Sequence, residues 1–320
     1  MHKICIILAY FGPLPEWFNL WLLSCHYNPT ISFLIVTDQS VTIPEGYDNV
    51  HVLPMTLSQM KDMADKKLGM NTALVYPYKC CDLRPAYGVI FEDFLKGYDF
   101  WGHCDCDLIF GDLRKFFTED RLCDYDRIFG QGHVSIYRNT TRCNHYYELS
   151  ADYKKVFMTS SNFGFDENLS SISIGRVLCR NHIPVLYSRA FADIGTIHKR
   201  FLCTTDKNAD RQIFYWDKGK VYRDYENQFF NIQERDEFAY IHFQKRKLKN
   251  CISTDKISDV TSFVVSYKGF FPIYDIGFDD LVNKYNPYPG RLYEDIEKLR
   301  WDMRHPWLRL LRKIYHKLKD

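Results

Sequence analysis

The sequence lacks any long apolar run. No segment reaches the roughly 18 unbroken apolar residues that a membrane-spanning helix needs. The opening stretch, "MHKICIILAYFGPLPEW", has an apolar run of about six residues, which is also too short for the apolar region of a signal peptide. The sequence has neither an internal repeat nor a low-complexity segment. We therefore expect a globular protein rather than a spanning membrane protein or a repeat array.

A strong net charge and a regular cysteine framework are also missing. The 320 residues include 11 cysteines, an odd number with irregular spacing, so we expect free thiols rather than a disulfide framework. Free thiols fit a reducing cytoplasm, where we place the protein. The formal net charge of +2 argues against general nucleic-acid binding.

Apolar and charged residues are present in the proportions of a packed domain, at 46% and 26%. The stretches "KICIILAYFG" and "TISFLIVTDQ" predict buried parallel strands, and "PEWFNLWLLSCHYNP" and "TLSQMKDMADKKLG" predict helices, the second ending at Gly69. Strands and helices alternate up to about residue 110, which predicts a largely parallel sheet with helices on both faces.

The C-terminal segment differs in charge and pattern. Residues 301–320 carry a net charge of +4, whereas the rest of the chain carries −2. Apolar and basic residues take opposite faces of a predicted helix: Trp307, Leu308, Leu311, Ile314, Tyr315 and Leu318 against Arg309, Arg312, Lys313, His316 and Lys317. A basic amphipathic helix of this kind is typical of a membrane-surface segment, which we favour. The alternative is a helix that packs back on the domain.

The stretch "FWGHCDCDLIFGDL" places aspartates among apolar residues. In an extended strand, alternation puts His103, Asp105 and Asp107 on one side. Cys104 and Cys106 then face the other side, where they pack as small apolar residues. Open α/β sheets bind ligands at the carboxyl ends of their strands. Two carboxylates held close together repel unless a cation lies between them, so we predict a Mg²⁺ or Mn²⁺ site.

Other interpretations of this stretch are weaker. A zinc site would use His103, Cys104 and Cys106, but no second pair of ligands with suitable spacing follows. A phosphatase with an aspartate nucleophile has Thr or Val where Ile109 stands here. The aspartates could instead cap turns, as we expect for Asp112.

Three stretches together resemble a known family. "VTD" after the second strand, "DLRPAYG" at a helix start and "DFWGHCDCDLIFGDL" look like bacterial glycosyltransferases of capsular and O-antigen polysaccharide biosynthesis, which have the GT-A fold and a DXD motif. The resemblance covers roughly residues 1–245 and implies a Rossmann-like α/β fold with a mixed, mainly parallel sheet flanked by helices. It also implies a nucleotide-sugar donor, usually a UDP-sugar, with Mn²⁺ or Mg²⁺ on its diphosphate.

The resemblance assigns donor contacts near the predicted strand ends. Tyr10 and Phe11 would contact the base and ribose, or they are core aromatics. Asp38 would accept hydrogen bonds from the uracil or ribose, or it caps a turn. Arg84 would hold the diphosphate or the donor sugar through its planar donor fork, or it forms an ion pair at a helix start.

It also implies a ligand set for the metal. Asp105 would lie near the ribose and the metal, and Asp107 would be a direct ligand. In "YIHFQKRKLK", His242 would return to the metal as a neutral imidazole, unless it is a structural histidine. Lys245 and Lys247 would neutralise the diphosphate.

A general base for the acceptor is harder to assign. "SNFGFDENLSSISIGRVLCRNHIPV" is similar to the acceptor-side segment of inverting relatives, but the acidic pair that follows in them is missing. Asp166, Glu167 and Asp193 are the candidate catalytic carboxylates, and we assign neither an inverting nor a retaining mechanism. Asp166 as a helix N-cap is the alternative. "FGQGHVSIYRN" would lie near the sugar and acceptor, or form a bulged strand.

We therefore predict a GT-A catalytic domain over residues 1–250, an extension packed on it over 251–300, and a basic amphipathic helix over 301–320. The predicted acceptor is a saccharide, lipid-linked, and the helix would hold the protein at the anionic inner face of the cytoplasmic membrane. A metal-dependent nucleotidyl or phosphoryl transferase on a similar sheet and a non-catalytic sugar-binding module are the alternatives.

Overall fold

A computed structural model gives the structure of the protein. It describes residues 1–168, 170–227, 232–244, 246–253, 257–273 and 276–306. The predicted amphipathic faces from Trp307 to Leu318 and the predicted diphosphate contact Lys245 lie outside the described residues.

The strands are β1 (Ile4–Ala9), β2 (Ile31–Thr37), β3 (Val50–Pro54), β4 (Phe100–Cys104), β5 (Leu108–Phe110), β6 (Arg127–Gln131), β7 (Val134–Arg138), β8 (Val185–Leu186), β9 (Ala192–Asp193), β10 (Gln212–Asp217), β11 (Lys220–Asn227), β12 (Ile232–Phe238), β13 (Tyr240–His242), β14 (Ser262–Ser266) and β15 (Gly269–Pro272). The α-helices are α1 (Phe18–His26), α2 (Leu57–Leu68), α3 (Cys80–Leu83), α4 (Tyr87–Ile90), α5 (Glu119–Asp124), α6 (Thr141–Asn144), α7 (Tyr153–Met158), α8 (Ile174–Arg180), α9 (Phe278–Tyr285) and α10 (Arg291–Arg304). Short 3₁₀ helices span Pro77–Lys79, Arg84–Ala86, Leu113–Lys115, Tyr146–Leu149 and Ile257–Asp259.

Seven of the described strands form the central sheet, in the order β3-β2-β1-β4-β7-β6-β8. β1 pairs in parallel with β2 and β4, and β2 pairs in parallel with β3. The β4–β7 and β6–β7 pairs are antiparallel, and β8 is parallel to β6. The predicted mixed and mainly parallel sheet is confirmed, and the carboxyl ends of β1, β2 and β4 meet at one edge of it.

Neighbouring residues of β1 pack on opposite faces of this sheet. Ile6 belongs to a hydrophobic cluster that contains Trp21 of α1, and Ile7 belongs to another that contains Met60 of α2. Both helices form where the sequence predicts them, and α2 ends at Gly69 in a left-handed conformation with φ of 64°. The predicted flanking of the sheet by helices is therefore confirmed.

Two smaller sheets complete the described part of the chain. An antiparallel sheet has the order β12-β11-β10-β14-β15. It combines strands from both sides of residue 250, so the predicted domain boundary does not coincide with a break between sheets. The other sheet has the order β5-β13-β9, in which β13 is antiparallel to β5 and parallel to β9. This sheet positions the candidate site.

The stretch that contains the aspartates is not a single strand. β4 ends at Cys104, and a turn through Asp105 and Asp107 precedes β5, which begins at Leu108. The predicted alternation over the whole stretch is therefore wrong. His103 is fully buried within β4, whereas both aspartates keep part of their surface exposed. A strand buried on both faces cannot accommodate uncompensated carboxylates, so the chain leaves the sheet before them.

All 11 cysteines of the chain lie in the described residues as free thiols. Cys104 and Cys106 belong to a hydrophobic cluster, and burial raises the pKa of both thiols well above its ordinary value. None of the described helices has the length and apolar character that a membrane crossing requires.

A fully buried ion pair holds the segment that leads to Asp166. The Lys79 ammonium donates to Asp82 Oδ2 at 2.8 Å, and neither side chain has exposed surface. Four backbone groups complete the arrangement: the carbonyls of Val156 and Ser161 accept from Lys79 at 2.7 Å each, and the amides of Phe163 and Phe165 donate to Asp82 at 3.0 and 2.9 Å. Since both buried charges are paired and hydrogen-bonded, the pair ties the helical segment before Arg84 to the loop before Asp166.

We predict that Asp82→Asn destabilises the protein by about 3–5 kcal/mol, because it leaves the Lys79 charge buried without an opposite charge. Urea unfolding should show a lower midpoint with an unchanged slope. Asp93→Asn is the matched control, since Asp93 pairs with Lys67 on the surface and should shift the midpoint little. Equal midpoints for the two variants would contradict a stabilising role for the buried pair.

Candidate metal centre

The β5-β13-β9 sheet brings three distant parts of the chain together. β13 places His242 opposite Leu108 of β5 and beside Asp193 of β9. The Phe243 N–H donates to the carbonyl of Asp107 at 3.0 Å, which holds the turn before β5 against the end of β13. Strand pairing, rather than closeness in sequence, therefore assembles the site.

Carboxylates surround the imidazole of His242. Its Nε2 lies 3.5 Å from Asp107 Oδ1 and 3.9 Å from Asp105 Oδ2, and its Nδ1 lies 2.8 Å from Asp193 Oδ1. Ligand atoms of Asp105, Asp107 and His242 all lie within 4.8 Å of one another. The two Nε2 separations are long for hydrogen bonds but suit ligands that share one ion.

This group of residues attracts positive charge. Burial alone would lower the pKa of His242, but contacts with Asp107 and Asp193 outweigh it and raise that pKa to about 10. Burial would raise the pKa of Asp193, but the hydrogen bond from His242 lowers it to about 2. The surroundings of Nε2 thus favour a proton or a metal ion, and two carboxylates with an imidazole fit Mn²⁺ or Mg²⁺.

Arg84 bridges two carboxylates. Its Nη2 donates to Asp105 Oδ1, and its Nη1 donates to Asp166 Oδ2 at 2.8 Å and to the carbonyl of Gly132 at 2.9 Å. The residue is only 7% exposed. Both terminal nitrogens are thus occupied by protein groups, and Arg84 contacts the centre through Asp105. The ion pair considered as its alternative role is present in the structure.

Gly132 leaves space for two of the candidate carboxylates, Asp166 and Glu167, near Arg84. A Cβ on Gly132 would lie 2.5 Å from Glu167 Oε1 and 2.9 Å from Asp166 Oδ2, so a larger residue would have to displace these carboxylates. The Gly132 N–H donates to Glu167 Oε2 at 3.2 Å. Burial raises the pKa of Asp166 to about 7, although Arg84 opposes the shift. Asp166 is not the N-cap of α8, because that position belongs to Ser173.

The residues predicted to contact the donor differ in how far they are exposed. Tyr10 is partly exposed at the end of β1, whereas Phe11 is 7% exposed and lies in a hydrophobic cluster. Asp38 is exposed and accepts from the Gly12 N–H at 3.0 Å, which joins the ends of β1 and β2. Phe11 is thus a core aromatic, whereas Asp38 binds the backbone at the end of the neighbouring strand. Lys247 lies on the surface.

The sequence did not predict which residues pack around His242, although Asp193 was a candidate catalytic carboxylate. The His133 ring stacks on the His242 ring, with centroids 4.3 Å apart and an angle of 22° between planes. Gln244 and Thr204 both donate to Asp193. The glycines of "FGQGH" indicate a close approach of the backbone, but they do not predict that His133 stacks on His242. No local sequence pattern predicts the role of Thr204. His133, Asp193 and His242 also form a group that could hold an ion, and it shares His242 with the first group.

The sequence matches one protein family. Residues 6–274 match a family of unknown function (DUF6625). No curated protein matches the chain.

Several solved structures resemble the fold of the chain at low identity. The apo form of mouse xyloside xylosyltransferase 1 has 9% identity and a TM-score of 0.40, covering 61% of this chain and 88% of its own. The galactosyltransferase LgtC, in complex with donor and acceptor sugar analogues, has 10% identity and a TM-score of 0.42, covering 90% and 99%. An active-site mutant of LgtC has 10% identity and a TM-score of 0.43, covering 91% and 99%.

We predict that Mn²⁺ raises the melting temperature by about 4 °C at a free concentration of 100 Kd, because binding to the folded state then stabilises it by about 2.7 kcal/mol. Differential scanning fluorimetry measures this shift. Asp107→Asn should abolish it, since the variant loses a charged ligand.

Asp112→Asn is the matched control for this prediction. Asp112 Oδ1 accepts from the Lys115 N–H outside the centre, and asparagine retains an acceptor there. The control should therefore keep the wild-type shift. A shift that survives in Asp107→Asn would place the ion elsewhere.

Proposed function

The chain belongs to this family of unknown function, and we propose that it is a metal-dependent glycosyltransferase. The observation that carries the proposal is the grouping of Asp105, Asp107 and His242 beside the carboxyl ends of the central parallel strands. Nucleotides bind at such strand ends in open α/β sheets. The resemblance of the aspartate stretch to a DXD motif points in the same direction, as does the return of a histidine from a distant strand.

In this proposal the donor is a nucleotide-diphosphate sugar, with a UDP-sugar as the first choice. Asp105, Asp107 and His242 hold Mn²⁺ or Mg²⁺, which when bound neutralises the diphosphate as it leaves the sugar. Arg84 keeps Asp105 in place. Tyr10 lies at the end of β1, where the base of the donor would lie, and Asp38 follows β2 beside it.

The acceptor is proposed to be a saccharide whose hydroxyl attacks the anomeric carbon of the donor. Of the three candidate carboxylates, Asp166 is bound to Arg84, and Asp193 accepts bonds from several side chains. Glu167 is partly exposed and accepts one hydrogen bond from the Gly132 backbone. Glu167 is therefore our candidate for contact with the acceptor hydroxyl.

Product analysis tests the reaction. With a panel of UDP-sugars, a saccharide acceptor and Mn²⁺, the protein should release UDP, and EDTA should stop the release. Asp107→Asn should slow the release by about 100-fold or more, because the bound ion supplies several kcal/mol of transition-state stabilisation. Asp112→Asn should retain wild-type activity. Release of pyrophosphate from a nucleoside triphosphate would instead indicate a nucleotidyl transferase.

We further propose that the acceptor is lipid-linked, as in bacterial surface polysaccharide synthesis, and that the C-terminal segment binds an anionic membrane surface. α10 exposes Tyr293 and a stripe of four apolar residues at helical spacing: Leu292, Ile296, Leu299 and Met303. The six Lys and Arg residues of 301–320 follow this stripe in the sequence. Each basic residue near an anionic surface contributes about 1 kcal/mol, so the two features act together.

Vesicle sedimentation tests the membrane proposal. The full chain should sediment with vesicles that contain phosphatidylglycerol and stay in solution with neutral phosphatidylcholine vesicles. Deletion of residues 301–320 should release the protein from the anionic vesicles and leave donor hydrolysis largely intact. Equal sedimentation of both chains with anionic vesicles would overturn the membrane role of this segment.

A further inference from the structure

Asp193 is occupied by hydrogen bonds from three side chains. Its Oδ1 accepts from His242 Nδ1 at 2.8 Å, and Thr204 Oγ1 donates to its Oδ2 at 2.5 Å. Gln244 Nε2 lies 2.8 Å from both oxygens. A carboxylate with these partners is a poor general base, because proton uptake would break bonds that favour its charged form.

The backbone around Asp193 is also fixed. β9 and β13 pair in parallel with Asp193 beside His242, and the Ile194 N–H donates to the carbonyl of His242 at 2.8 Å. Gln244 has a φ of 45°, a left-handed conformation that is unfavourable for a residue with a side chain. Gln244 also donates to Asp193, so we interpret its unfavourable backbone conformation as one that the surrounding structure maintains for this hydrogen bond.

These contacts determine how His242 can face the aspartates. A proton on Nδ1 is donated to Asp193, so the lone pair of a neutral ring lies on Nε2, the atom nearest Asp107. The stacked ring of His133 restricts rotation from the side. A carboxylate on the far nitrogen of a ligating histidine both orients the ring and raises its basicity.

We propose that Asp193 is a positioning residue that holds His242 as a nitrogen ligand and thereby favours Mn²⁺ over Mg²⁺ at this centre. The inference rests on the metal site of the proposed function. Transition-metal ions bind imidazole nitrogen well, whereas Mg²⁺ prefers oxygen and retains its water ligands. Asp105 and Asp107 supply oxygen in either case, so the nitrogen is the ligand through which the two ions are distinguished.

The test measures binding of each metal alone to the full chain, by isothermal titration calorimetry. Asp193→Ala should weaken Mn²⁺ binding about 10–100-fold, the usual cost of losing such a supporting carboxylate. Mg²⁺ binding should change by less than about threefold, since its oxygen ligands remain. Asp193→Asn should give an intermediate loss for Mn²⁺, because the amide oxygen still accepts from Nδ1 but carries no charge. This isosteric variant decides the matter if the alanine variant does not fold.

Thr204→Val is the matched control. It removes one hydrogen bond to Asp193 without touching His242 and should leave the ratio of Mn²⁺ to Mg²⁺ affinity unchanged.

Pulsed electron paramagnetic resonance of bound Mn²⁺ gives an independent signature, because a coordinated imidazole produces nitrogen couplings. These couplings should be present in the wild type and diminished in Asp193→Ala.

The outcomes separate this inference from the proposed function. If the wild type binds neither ion, the metal site itself is wrong. If the wild type binds Mn²⁺ and the Asp193 variants bind it equally well, only the role of Asp193 is overturned. Equal losses for Mn²⁺ and Mg²⁺ would show a general structural role and would also overturn the inference.

Discussion

Asp105 and Asp107 carry negative charge into a turn that protein encloses on most sides, and the structure compensates that charge from two directions. Arg84 reaches Asp105 from the segment before β4, and His242 reaches the pair from β13. Asp193 adds a further negative charge behind His242, and the contacts with Asp107 and Asp193 together outweigh burial and raise the pKa of the imidazole to about 10. The carboxylates of this region outnumber its basic groups, and this excess favours a cation between them.

The supporting structure prevents these charges from rearranging. The buried pair of Lys79 and Asp82 fixes the loop that ends at Asp166, and Asp166 in turn holds Arg84. Gly132 leaves the space in which Asp166 and Glu167 approach the hairpin between β6 and β7. A larger residue there would meet both carboxylates, of which Asp166 is the one bound to Arg84. Residues well outside the candidate metal centre thus help to determine where Asp105 lies.

Much of the fold was predictable, because buried strands and amphipathic helices have local patterns. β1, β2, α1 and α2 form where apolar runs and end signals place them. The end of β4 was predicted wrongly. The prediction extended the strand through Asp105 and Asp107, where burial of uncompensated carboxylates would cost too much free energy. His103 was consequently expected beside the aspartates and lies instead in the core.

The site itself was predictable only in part, for a physical reason. Asp105 and Asp107 are marked by their position after an apolar strand, and His242 was proposed only with the help of the family resemblance. Asp193, Thr204 and His133 come from separate segments that meet through β9, β13 and the turn after β6, and a single sequence does not show which short strands pair.

The candidate metal centre exists only while β5, β13 and β9 are paired. His242 and Asp107 are separated by more than a hundred residues, and the antiparallel pairing of β5 with β13 is what joins them. An ion held between these residues would cross-link the turn after β4 to the end of β13, so binding and the pairing of β5-β13-β9 stabilise each other. Asp193 contributes to both, because it pairs in the sheet and holds His242. Asp193 would therefore link the coordination of such an ion to the pairing of the three-stranded sheet.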